Sequence, residues 1–202
     1  MLVIGLTGPS GAGKSAVSEL FAKYGLPVIN ADEVYHQILV PPSYCLNALT
    51  AQFGRDILAP DGTLDRPKLS QIVFANPAAL EALNSISHSF IMEEIERRLE
   101  QLRRRNVRAA LLDAPQLFEA GAHRLCSAIV SVLADKSLRL ERILQRDRID
   151  PERILRRFAS QKSDEYFRTH SDYIIENNGS LENLIPEVRK ILLETGVISP
   201  CD

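Results

Sequence analysis

The stretch "GLTGPSGAGKSAVSEL" (residues 5–20) constrains the fold more than any other part of the chain. It follows the apolar run "LVIGL" (2–6) and leads straight into a helical pattern in which Val17, Leu20 and Phe21 share a face. Gly8, Gly13, Lys14 and Ser15 fit G-x-x-x-x-G-K-[ST], with Gly11 as an additional glycine inside the loop. Glycines let successive backbone N–H groups converge on an anion, because no Cβ blocks the angles this requires. The helix that follows adds unpaired N–H groups and the positive end of its dipole. In such a cradle the backbone of Gly8, Gly11, Ala12, Gly13 and Ala16 surrounds a nucleotide triphosphate. Lys14 reaches its outer phosphates, and the Ser15 hydroxyl serves as the ligand for Mg²⁺. A chance glycine-rich turn is the competing reading, and the strand-loop-helix context weighs against it.

The rest of the chain repeats that alternation. "PVIN" (27–30), "AALLD" (109–113), "AIVSVL" (128–133) and "DYIIE" (172–176) are further short apolar runs. Their near-continuous hydrophobicity suits strands covered on both faces, hence an α/β fold with a five-stranded parallel sheet in three layers. Two gaps are too long for a simple crossover. Residues 31–108 read as several helices with a turn at "APDGTLDRP" (59–67), and residues 134–171 read as helices broken at Asp150. There Asp150 is an expected N-cap with Pro151 at the first helical position. The expectation is one domain over 1–202 carrying two helical insertions.

Bulk properties remove several function classes. A formal charge of −2 gives no general affinity for nucleic acid or for anionic membrane. Cys45, Cys126 and Cys201 are scattered, with no CxxC or His/Cys cluster, so neither a disulfide framework nor a zinc site is expected. "MLVIGL" lacks a basic region ahead of it, and no run approaches a membrane span. The expectation is a soluble, cytoplasmic protein.

A phosphate loop serves switches, motors and small-molecule kinases alike. A guanine-specific switch would ordinarily carry N-K-x-D on a late strand, and none is present. A kinase needs cations that arrive as the site closes. Residues 136–162 hold nine Lys or Arg against four Asp or Glu, and Arg139, Arg142 and Arg146 fall on one helical face. Such a run is either a solvated basic face or an arginine-bearing lid. "ERRLEQLRRRNVR" (96–108) interleaves acids and reads as a long helix with solvent-facing arginines. Asp32 follows the second strand, where residues face the ligand crevice of a parallel sheet. It can accept a hydrogen bond from an acceptor hydroxyl, or it can cap the following helix. His36, four residues on, shares its face and can orient it. Asp113, ending the third strand, can serve the water shell of Mg²⁺ or cap backbone.

With these residues in view, the chain resembles the dephospho-coenzyme A kinase family nearly end to end. The resemblance runs through "IGLTGPSGAGKS", "PVINADEVYHQ", "LDRPKLSQIVFANPAALEALNSISH", "LLDAPQLFEAG", "ERILQRDRID", "RRFASQ" and "SDYIIENNGS". It implies a P-loop kinase core similar to nucleoside monophosphate kinases, a helical acceptor-binding insertion within 31–108 and a lid within 134–171. The implied activity is phosphorylation by ATP of the ribose 3′-hydroxyl of dephospho-CoA, the last step of CoA synthesis, by a monomer. Another small-molecule kinase on the same core is the alternative.

The resemblance also implies residue roles. Asp32 falls on the family's base, Arg142 and Arg146 on its lid arginines, Arg157 on the arginine ahead of "xxxQ", and Asn177 on its adenine-side asparagine. His88 falls on a contact to the acceptor, against a packing role in a helix, and Pro115, Leu117 and Phe118 fall on the acceptor pocket. Three residues depart from the family pattern: Asn30 stands for an aspartate, Ser89 for a proline after His88, and Gln116 for a leucine. His123, His170 and Tyr24 read as structural.

Overall fold

A computed structural model describes residues 1–147 and 150–199. Cys201 and two residues of the "ERILQRDRID" string lie outside that range. The chain divides into two compact units, Met1–Ile29 with the chain from Leu102 onward, and Asn30–Gln101.

The first unit is built on strands β1 (Leu2–Thr7), β2 (Val28–Asn30), β3 (Ala109–Asp113), β4 (Ala128–Leu133) and β5 (Tyr173–Glu176). Their order in the sheet is β2-β3-β1-β4-β5. β1 lies parallel between β3 and β4, with Ile4 opposite both Leu111 and Ala128, and β5 continues parallel to β4. β3 is buried along its whole length and β1 from Val3 on, as expected of strands with helices on both faces. Each apolar run of the sequence is therefore a strand, shifted by at most one residue at its ends.

Helices α1 (Lys14–Lys23) and α9 (Leu184–Glu194) bury Val17, Phe21, Val188 and Leu192 against Ile4, Leu6, Val130 and Ile175. On the other side of the chain's course come α6 (Lys136–Asp147), α7 (Pro151–Ser160) and α8 (Asp164–His170). Asp150 Oδ1 accepts from the Glu152 N–H at 2.8 Å, so α7 starts where the Asp-Pro pair places it. Ser163 caps α8 in the same way through the Tyr166 N–H.

The second unit is helical: α2 (Ala31–Ile38), α3 (Tyr44–Phe53), α4 (Arg66–Ala75) and most of α5 (Pro77–Arg104). Each of the first three begins on a side-chain cap, from Asn30, Ser43 and Asp65 respectively. Its own core is Leu39, Leu46, Leu49, Ile57, Leu69 and Val73. Glu94 on α5 accepts from Arg97 and Arg98, each at 2.7 Å, and these bonds hold its carboxyl down at about 2.

Candidate active site

The loop between β1 and α1 lies at the point where the sheet order reverses around its central strand, the place where parallel α/β sheets bind ligands. Its backbone is left-handed at Gly13 (φ 89°), which is also the N-cap of α1. A Cβ on Gly13 would stand 2.0 Å from Asn177 Nδ2, and one on Gly8 2.3 Å from the carbonyl oxygen of Val132. The loop is thus pressed against the ends of β4 and β5. Lys14 and Ser15 open α1, so their N–H groups have no partner four residues back in the helix. Ala12 and Ala16 differ from the cradle expected of them. The Ala12 N–H closes on the Pro9 carbonyl at 3.2 Å and the Ala16 N–H on that of Gly13 at 3.1 Å. They shape the loop from within, while the Ser15 side chain is exposed.

Lys14 Nζ forms an ion pair with Asp113, whose side chain is 3 % exposed at the end of β3. With both groups largely out of solvent, removing one strands the other's charge at a cost of about 3–5 kcal/mol. Asn177, 6 % exposed just after β5, donates from Nδ2 to the Ala12 carbonyl at 2.8 Å and accepts on its own carbonyl from Arg142 at 3.0 Å. The other terminal nitrogen of Arg142, Nη1, is buried with no hydrogen-bond partner. It lies 3.8 Å from where a Cβ on Gly13 would be. A buried guanidinium nitrogen is costly without an acceptor, and an anion seated on the glycine loop would supply one. Gly13, Lys14, Ser15, Arg142 and Asn177 are therefore brought together.

Other expected site residues are placed differently. Arg139 is not on a solvated face: it is 6 % exposed, bonded to Asp164 at 3.2 Å and packed over Phe158 at 4.5 Å from the ring centre. Burial lowers its pKa and Asp164 raises it in part. Arg146 is exposed and forks onto neighbouring Asp147, which also takes Arg157 at 3.6 Å. Leu117, expected in the acceptor pocket, is fully buried beneath Gly5 and is a packing residue. Phe118 sits in an aromatic group with His123, Tyr166, Phe167 and His170, and the carbonyl of Pro115 accepts from Thr7.

In the helical unit Asn30, not Asp32, caps α2, by accepting from the Glu33 N–H at 3.0 Å. The capping alternative for Asp32 is thereby removed, and its carboxylate is exposed on the first turn. His36 Nδ1 is engaged by Arg66 at 2.8 Å. His88 lies half-buried on α5.

A reading of the sequence alone passed over Gln161. Its amide bonds both the N–H and the hydroxyl of Ser10 in the glycine loop. The sole signal for it was its place at the end of "RRFASQ".

Sheet order, loop position and the lysine that opens α1 mark the class: this is a P-loop kinase, a phosphotransferase that uses a nucleotide. The chain belongs to the dephospho-CoA kinase family, whose model matches residues 2–183. Dephospho-CoA kinase of Corynebacterium glutamicum is 37 % identical over 194 residues, which are 96 % of this chain and 97 % of that protein. Among solved structures, TT1252 from Thermus thermophilus superposes with a TM-score of 0.80 at 29 % identity, covering 96 % of this chain and 97 % of the other. Dephospho-CoA kinase from Campylobacter jejuni gives 0.72 at 29 % identity, covering 97 % and 98 %. Among the described residues no helix is long and apolar enough to cross a membrane.

Proposed function

We propose that the protein transfers the γ-phosphoryl group of ATP to the ribose 3′-hydroxyl of dephospho-CoA. The observation that carries the nucleotide half of this reading is the unpartnered, buried Arg142 Nη1 beside the glycine loop, a cation positioned for a phosphate. Family membership carries the acceptor half.

In this reading the N–H groups of Lys14 and Ser15 and the loop glycines bind the phosphate chain, and Lys14 exchanges Asp113 for phosphate oxygens. The exposed Ser15 hydroxyl is a hard oxygen that would suit Mg²⁺, with the Asp113 carboxylate serving its water shell, and the ion would neutralise charge on the phosphates when bound. Arg142 stabilises the charge that spreads over the migrating group, and Arg146 joins it from the lid formed by α6 and α7. Asp32 accepts the hydrogen bond of the acceptor hydroxyl and holds an oxygen lone pair towards phosphorus. Little proton transfer is needed early in a loose transition state, so Asp32 acts chiefly by positioning. The helical unit offers the acceptor a groove of about 570 Å³ with mixed walls, apolar at Ile38, Val40 and Phe90 and charged at Glu93, Glu94 and Arg97. Asn177 would lie on the adenine side of ATP, and His88, Pro115 and Phe118 on the side of the acceptor.

The test is ADP release with Mg-ATP and a panel of acceptors: dephospho-CoA, nucleoside monophosphates, shikimate and none. Release that depends on dephospho-CoA is expected. Release with another acceptor, or slow hydrolysis indifferent to acceptor, overturns the proposal. Asp32→Asn should then lower kcat on the order of 10²-fold with ATP affinity kept, as a positioned acid/base group contributes about that much. An unchanged kcat removes Asp32 from the reaction.

A further inference from the structure

Ser10, at the tip of the glycine loop, has its N–H, its carbonyl and its hydroxyl oxygen each bonded by side chains far along the chain. Its N–H donates to Gln161 Oε1 at 3.2 Å, and its hydroxyl accepts from Gln161 Nε2 at 2.9 Å. Its carbonyl accepts from Arg139 Nε at 3.0 Å. Pro9 before it has no N–H at all. Neither of the two residues ahead of Gly11 therefore has a backbone N–H left for a phosphate, and we read their role in the loop as chiefly mechanical.

Gln161 and Arg139 are themselves held. Gln161 is the C-cap of α7, with its N–H on the Phe158 carbonyl at 3.3 Å. Arg139 packs on Phe158 and bonds Asp164, in the first turn of α8. The end of α7, the start of α8 and the first turn of α6 are thus tied, directly or through Arg139, to one loop residue. Gly11 completes the joint: a Cβ there would stand 2.6 Å from the Arg139 carbonyl oxygen, so backbone lies against backbone with no room for a side chain.

We propose that Gln161, with Arg139, is a positioning residue for the nucleotide. The pair latches the tip of the phosphate loop to the root of the lid, so that α7 moves by pivoting at Gln161 and the amides of Gly13, Lys14 and Ser15 keep their aim while it does. This rests on the reading of the loop as a nucleotide cradle. It adds two consequences. Nucleotide affinity depends on a residue that touches no nucleotide, and the Ser10 hydroxyl matters only through Gln161.

The test is the dissociation constant of Mg-ATP, by equilibrium dialysis, for wild type, Gln161→Ala, Ser10→Ala and the double variant, with the KM for dephospho-CoA and the melting temperature alongside. Removing a group that acts on a ligand only through other residues changes affinity by roughly 2- to 30-fold. Gln161→Ala, which loses two, should weaken Mg-ATP about 10- to 30-fold, and Ser10→Ala, which loses one, about fivefold. The double variant should match Gln161→Ala, since both changes remove the same contact. Acceptor KM should stay within about twofold. Gln161→Glu should recover most of the affinity, because its carboxylate can accept from both the Ser10 N–H and the Ser10 hydroxyl.

An Mg-ATP constant within twofold of wild type in Gln161→Ala, or losses that multiply in the double variant, overturns the latch. So does a lowered melting temperature with unchanged affinity, the signature of a purely structural contact. Should Gln161→Ala not fold, Ser10→Ala and Gln161→Glu decide: unchanged affinity in the first, or a full loss in the second, overturns it. Wild type that binds no Mg-ATP would instead refute the cradle itself.

Discussion

Gly13→Ala and Gly25→Ala form a matched pair that isolates what the glycine loop does. Both glycines are left-handed, at φ 89° and 85°. An added Cβ meets nothing within 4 Å at Gly25, but stands 2.0 Å from Asn177 Nδ2 at Gly13. The conformational strain is therefore common to both, about 1–2 kcal/mol. At Gly13 the methyl must also push Asn177 off the Ala12 carbonyl. That loses a hydrogen bond worth about 1 kcal/mol and leaves an amide that is 6 % exposed without its partner, another 1–3 kcal/mol or so. Gly13→Ala should thus be less stable than Gly25→Ala by about 2–4 kcal/mol. For a domain of this size that is a gap of roughly 5–15 °C in melting temperature. Because the new Cβ also stands 3.8 Å from Arg142 Nη1 and strains the loop whose amides meet the phosphate, the Gly13 variant should lose more than tenfold in Mg-ATP affinity, while Gly25→Ala keeps it. Thermal unfolding and dialysis on the two proteins read both effects. Variants that melt within about 2 °C of one another and bind Mg-ATP equally would refute the packing of Asn177 against the loop.

Two further perturbations test other parts of the molecule. Arg142→Ala should lower kcat on the order of 10²–10³, more than it raises acceptor KM, since a preorganised cation acts on the transition state; a change confined to acceptor KM would make Arg142 a binding residue only. Glu94, held at about 2 against an ordinary 4.5 by Arg97 and Arg98, contributes stability that is complete above pH 4.5 and is lost as pH falls towards 2. Acid unfolding of Glu94→Gln should show a weaker dependence on pH in that window, and an identical curve would contradict the pairing.

The fold was legible in the sequence for a physical reason. Parallel strands buried on both faces must be apolar throughout, so β3 and β4 stood out from end to end. The glycine loop was equally plain, because only glycine tolerates Gly13's backbone and the approach of Asn177. What escaped was tertiary. The spacing of Arg139, Arg142 and Arg146 put them on one face, but periodicity does not say what that face meets. Arg139 meets Asp164 and Phe158, Arg142 meets Asn177, and Arg146 meets solvent and Asp147. Leu117 went astray for the same reason, since a string that matches a pocket does not reveal which of its side chains turns inward. Gln161 lies 151 positions from Ser10, beyond any local pattern. For the start of α2, the sequence reading weighs a cap at Asp32 alone, whereas the Glu33 N–H points at Asn30, since Asn and Asp cap almost equally well.

That choice sets the rotational phase of α2. Successive side chains on an α-helix are about 100° apart, so a first turn begun at Asp32, two residues later, would turn the groups on it by about 200° relative to the incoming chain. Val34, now sealed in the interior, would swing with the rest, and Asp32 would look elsewhere. A neutral amide at position 30 thus acts as the compass for an acid two residues on. Evolution can trade charge for amide there, and lose nothing but a formal negative, so long as an oxygen remains to greet the Glu33 nitrogen.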